Sequence, residues 1–144
     1  MRTTFFTATL LALLPGIALS ETYEVKMLNR GETGSMVYEP DFLALQPGDT
    51  IRFIATHPSH NAVSIPEIWP EAAPQVKGQI NKEIEVPFEA LGIYGIKCSP
   101  HYTMGMVMLV QVGDGDLDES IIATSLPDMV QERLTDIVER NRGS

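Results

Sequence analysis

The stretch Gly95-Ile96-Lys97-Cys98-Ser99-Pro100-His101-Tyr102-Thr103-Met104-Gly105-Met106-Val107 decides how this chain is read. It holds the single cysteine, and Cys98, His101, Met104 and Met106 put a thiol, an imidazole and two thioethers within nine residues. No other part of the chain packs three soft or borderline metal-ligand types so closely. Cys98 to His101 is a spacing of three and His101 to Met106 a spacing of five, so a tight loop between two strands can turn all three side chains toward one point. Leu91 to Lys97 leads into the loop, and Gly105 to Val112 leaves it as a continuous run of Met, Val and Leu suited to a strand buried on most sides.

Upstream, the sequence has the period of short strands. Tyr23, Val25 and Met27 alternate with polar neighbours over Thr22 to Leu28, and Asn29 to Gly34 reads as a loop. Met36 to Pro40 and Phe42 to Leu45 are short candidates closed by the turn Gln46-Pro47-Gly48-Asp49. Thr50 to Thr56 is the next strand, His57 to Ile65 turns and begins another, Ile68 to Val76 is irregular, and Asn81 to Val86 returns to strand. After Gly113 the pattern becomes helical: acids open a helix expected at about 116–125, and Pro127 opens a second over about 127–141, with Met129, Val130, Leu134, Ile137 and Val138 on its apolar face. About eight strands with Gly and Pro turns predict a sandwich or barrel, with both helices packed outside it.

Arg2, the apolar run Phe5 to Leu19 and the small residues Ala18 and Ser20 predict a secretory signal over residues 1–20. That run is broken by Pro15 and Gly16 and is shorter than the roughly 20 residues a membrane-spanning helix requires. Residues 21–144 are therefore expected to form one exported, soluble domain without membrane insertion. With Arg2 removed, 9 basic and 19 acidic residues leave a formal charge of −10. Such a balance excludes nucleic acid as a partner, because phosphate contacts need a basic face.

A lone cysteine in an exported chain has no internal disulfide partner. It is buried and inert, bridged to another molecule, nucleophilic, or a metal ligand. The neighbouring His101 and methionines favour the metal, and His60, at the mouth of a strand beside Asn61, is the best candidate for a remote fourth ligand. Two imidazoles, a thiolate and a weak, long thioether describe a blue-copper electron-transfer site. Calcium and magnesium prefer oxygen donors. Structural zinc normally takes four Cys or His ligands, which here would consume the one thiol and all 3 histidines. Asn61 and backbone N–H groups near Cys98 are expected to orient the ligands and tune the sulfur.

The Ser59-His60-Asn61 loop, the run Tyr94 to Val107 and two C-terminal helices resemble the pseudoazurins, small periplasmic cupredoxins, across essentially all of residues 21–144. The resemblance implies an all-β Greek-key sandwich with two added helices and one copper ion cycling between Cu(I) and Cu(II) on His60, Cys98, His101 and Met106. It favours Met106 over Met104, whose spacing of three from His101 also occurs as an axial spacing in some short-loop cupredoxins. It also makes His101 an electron port bordered by Met36, Pro100 and Met104, on a monomer that docks briefly with nitrite reductases and c-type cytochromes.

The family typically rings its port with lysines. This chain has few (Lys26, Lys77, Lys82, Lys97) and places Pro58 ahead of the Ser-His-Asn loop, so weaker steering toward an acidic partner is expected. His57 is expected in solvent. Asp114-Gly115-Asp116-Leu117-Asp118 opens like a calcium loop, but Glu119 stands where Gly is required and Ser125 where Glu is, so a helix start is the expectation. Met27, Met36, Met108 and Met129 are expected to fill the core. The alternative function is a periplasmic copper chaperone or storage protein without a redox role. A Cys-His hydrolase is a third reading, but it leaves the two methionines unexplained.

Overall fold

The computed structural model describes residues 19–143, so the expected leader lies almost wholly outside it. Among the described residues eight strands follow one another: β1 (Thr22–Gly31), β2 (Gly34–Glu39), β3 (Phe42–Leu45), β4 (Asp49–Ile54), β5 (Val63–Ser64), β6 (Ile84–Phe88), β7 (Gly92–Lys97) and β8 (Val107–Val112). They build two sheets of four, ordered β2-β1-β4-β6 and β3-β8-β7-β5. The chain changes sheet at every step from β2 to β7, and this closes the expected sandwich. β1 pairs parallel with β4, and β3 with β8.

Alternation in the strands has its expected consequence. Val25 and Met27 of β1, Ile51 and Phe53 of β4, and Val86 and Phe88 of β6 meet Tyr94 and Ile96 of β7 and Met108, Val110 and Val112 of β8 in one core. The apolar run of β8 is continuous because both of its faces are covered. Met108 and Val110 point into the sandwich, while Val107 and Leu109 point outward into a second cluster. That cluster is roofed by α1 (Asp128–Asn141) through Val130, Leu134, Ile137 and Val138.

Only the second of the two expected helices forms. In place of the first, Glu119–Ile121 make a single 3-10 turn, with the Asp118 side chain accepting the Ser120 N–H at 2.7 Å. Ile121, Ile122 and Thr124 are β-branched and Ser120 and Ser125 compete for backbone bonds, so the segment has little helical propensity. Its apolar side chains, Leu117 and Leu126 above all, are instead spent on covering the outer cluster. Pro127 further forces Leu126 away from helical geometry.

Two smaller expectations also change. β1 continues through Asn29 to Gly31, reducing the expected loop to a hairpin turn at Glu32 and Thr33. Met129 is 47 % exposed rather than buried with the helix face.

Arg140, near the end of α1, grips buried Asp41, between β2 and β3, through Nη2–Oδ2 at 2.8 Å and Nη1–Oδ1 at 3.4 Å. It also pairs with Asp136 one turn earlier at 3.0 Å. Arg140→Ala would leave a buried carboxylate without its cation. Discounted for the solvent that reaches the guanidinium, the expected loss is about 1–2 kcal/mol in denaturant unfolding.

Candidate metal centre

β7 ends at Lys97, which pairs with Val107 at the start of β8, so the nine residues between them form a closed loop. Cys98 N–H donates to Met106 O at 3.0 Å, and the N–H groups of Met104 and Met106 both donate to His101 O, at 3.1 and 3.2 Å. A 3-10 turn at Tyr102–Met104 ends on Gly105 at φ +80. A Cβ there would stand 2.8 Å from the Met129 carbonyl oxygen, so this position requires glycine on both counts. Bonds across the loop mouth and the close seat against α1 hold Cys98, His101 and Met106 inward.

His60 arrives from the other side, on the segment between β4 and β5, and is fully buried. Asn61 ties the two loops together: its Oδ1 accepts Ser99 N–H at 2.8 Å, and its Nδ2 donates to Gly78 O at 3.0 Å and Ser99 Oγ at 3.3 Å. Tyr38 Oη donates to Asn61 O at 2.6 Å.

Three donor atoms converge. Cys98 Sγ lies 3.7 Å from His60 Nδ1 and 3.6 Å from His101 Nδ1, and the two Nδ1 atoms are 3.2 Å apart. A circle through the corners of such a triangle has a radius of about 2.0 Å, the length of a metal–imidazole bond and slightly below that of a metal–thiolate bond. Among the described residues, this is the group of three or more His, Cys, Asp and Glu side chains that meets closely enough to hold an ion. The acidic run after Gly113 does not; Asp118 caps its 3-10 turn.

The hydrogen bonding of His60 leaves one ring nitrogen for a metal. His60 Nε2 lies 2.8 Å from Asn29 Oδ1, and because an amide oxygen only accepts, Nε2 carries the proton and Nδ1 a lone pair. Burial lowers the His60 pKa, with the charges of His101 and then His57 adding to it, which favours the neutral ring. Burial raises the Cys98 pKa, opposed by backbone N–H groups of Asn61 and His101 aimed at the sulfur. A metal that displaces the thiol proton meets those N–H groups already in place.

Met106 is fully buried and shares the inner core with Cys98, whereas Met104 is 47 % exposed. His101 is half-buried, with exposed Pro100 and Met104 in its own loop. Met36, half-buried and packed on the core, takes a left-handed φ of +52 within the β1–β2 ladder, between the Leu28–Val37 and Arg30–Ser35 pairs and across from Asn29.

The copper-binding proteins of the plastocyanin/azurin family match residues 25–113. The pseudoazurin of Paracoccus pantotrophus is 48% identical over 130 residues, 88% of this chain and 88% of that protein. The chain belongs to the plastocyanin/azurin family, in its pseudoazurin branch. Solved pseudoazurins agree. That of Methylobacterium extorquens AM1 superposes with a TM-score of 0.77 at 41% identity, covering 83% of this chain and 98% of its own. That of Hyphomicrobium denitrificans gives 0.75 at 39%, covering 83% and 97%.

In this pseudoazurin-like chain His60, Cys98, His101 and Met106 lie close together as a type 1 copper site. Their donor set, two imidazoles, one thiol and one thioether, suits copper. Sequence reading missed two polar neighbours. Asn29, expected in a loop, lies in β1 and bonds His60. His57, expected in solvent, is half-buried, and its Nδ1 accepts the Asn29 N–H at 2.9 Å. Both contacts join residues 28 or more apart through the parallel β1–β4 pairing, and no local periodicity signals them.

Proposed function

We propose that His60 Nδ1, Cys98 Sγ and His101 Nδ1 hold copper in a trigonal plane with Met106 as its weak axial ligand. In this reading the protein carries single electrons in the periplasm, between c-type cytochromes and a nitrite reductase, and makes or breaks no substrate bond. The convergence of three donor atoms on one point about 2.0 Å from each carries the reading. Bound copper supplies the one-electron couple. The polypeptide supplies rigidity: Asn61 locks the two ligand loops, Gly105 seats the cysteine loop against α1, and little has to move when the charge changes.

His101 is the ligand with an edge toward solvent, and its surroundings set how a partner docks. Pro100 and Met104 of its own loop are exposed, and Lys97 is spent over the Tyr102 ring at 4.5 Å. A small apolar face of this kind supports brief contacts typical of electron-transfer encounters. Export, and the boundaries of a domain over residues 21–144, belong to the same proposal. No helix among the described residues is long and apolar enough to cross a membrane.

Loading with Cu(II) should give an intense visible thiolate-to-copper band and a reversible potential. A colourless loaded protein would overturn the ligand set, while Cu(I) release to a target without reversible electrochemistry would favour a chaperone. Met106→Gln is expected to retain copper and lower the potential by more than about 59 mV, a tenfold change in a one-electron equilibrium. Met104→Gln should leave both spectrum and potential in place. Reversal of this pair of results in voltammetry would transfer the axial role to Met104.

A further inference from the structure

Asn29 and His57 join the end of β1 to the loop that carries His60. The parallel ladder between β1 and β4 runs as far as Lys26 and Ile54, after which the chain leaves it. His57 restores the connection. Its N–H donates to Met27 O at 3.1 Å, and its Nδ1 accepts the Asn29 N–H at 2.9 Å. Asn29 in turn presents Oδ1 to His60 Nε2 at 2.8 Å. Each bond has a fixed direction: a backbone N–H can only donate and an amide oxygen can only accept.

We propose that His57 is a positioning residue for the copper ligand His60, acting through Asn29. This rests on the ligand assignment proposed above. Asn29 is exposed, and an exposed carboxamide left to itself exchanges partners with water and samples several rotamers. His57 holds the Asn29 backbone N–H, and so steadies the residue whose Oδ1 stays on His60 Nε2. The His60 ring is thereby fixed as the Nε2–H tautomer, with its Nδ1 lone pair aimed at the point shared with Cys98 and His101. Hydrogen-bond partners of metal-ligating histidines commonly change metal affinity 10–100-fold when removed. His57 stands one step farther out, and its effect belongs at the low end of that range.

The test compares His57→Ala with His57→Asn. From the same Cβ, an asparagine Oδ1 reaches close to the place of the imidazole Nδ1 and can accept the same N–H. In the metal-free protein at mildly alkaline pH, nitrogen-15 resonance should find His60 in its Nε2–H form and the Asn29 amide protected from exchange. His57→Ala should lose that protection and mix the His60 tautomers. After copper loading it should bind the metal about tenfold more weakly and change the paramagnetic resonance spectrum. His57→Asn should restore all of these.

An alanine variant with wild-type tautomer and spectrum would overturn the proposal. So would equal impairment of the alanine and asparagine variants, which marks a merely structural role. A wild-type protein that stays colourless with copper would instead defeat the ligand assignment, and the metal-free resonances would still decide whether His57 holds His60.

Discussion

Replacing Cys98 with serine is expected to remove the visible band of the copper-loaded protein entirely while leaving the sandwich folded. The band requires a sulfur orbital bonded to copper, and a hydroxyl, protonated at neutral pH and a hard donor, offers no equivalent. The fold should tolerate the change because Cys98 is held by its backbone bond to Met106, and serine is the smaller side chain. The backbone N–H groups of Asn61 and His101 that face the sulfur can be accepted by the hydroxyl oxygen. Absorption and far-ultraviolet circular dichroism of the variant check the two halves of the expectation. A variant that keeps the band would take Cys98 out of the ligand set.

The largest stability effect is expected away from the metal, at Leu134. This side chain is fully buried between α1 and the outward face of β8, in a cluster separate from the one that contains Cys98 and Met106. Leu134→Ala leaves a cavity there and should cost about 3 kcal/mol. For a domain of this size that corresponds to a fall of about 10 °C in Tm. The visible spectrum of the folded, copper-loaded variant should be unchanged, because Val107 and Leu109 separate the cavity from the inner core. A loss below 1 kcal/mol in calorimetry would mean that the helix is an ornament on the sandwich rather than the cover of its second face.

Much of this architecture was legible because its causes are local. Alternating apolar residues over Thr22 to Leu28 and Thr50 to Thr56 mark β1 and β4, and the uninterrupted run after Gly105 marks a strand covered on both faces. The helix at residues 128–141 follows from a period that α1 repeats in Val130, Leu134, Ile137 and Val138. The expected helix at 116–125 failed for a reason local reading underweights. Its acids suit the first turn of a helix, but Ser120, Ile121, Ile122, Thr124 and Ser125 carry little helical propensity, and Leu117, Ile121, Ile122 and Ala123 pack as an irregular strap on the outer cluster. Met129 has the right period as well, yet it falls at the edge of α1 beside the Gly105 turn, where the cover ends.

By itself, the sequence determined the donor chemistry: one thiol, one imidazole and two thioethers in a loop short enough to aim them together, with His60 as the remote partner. Such facts need only residue type and spacing. Tertiary structure alone decided which donors are usable and what holds them. It buried Met106 and exposed Met104, brought His60 Nδ1 to 3.2 Å from His101 Nδ1, and set His57 and Asn29 behind His60. Those outcomes depend on strand pairings that close loops of 28 to 41 residues, and a hydrogen bond across such a loop leaves no period in the chain for a sequence reading to find.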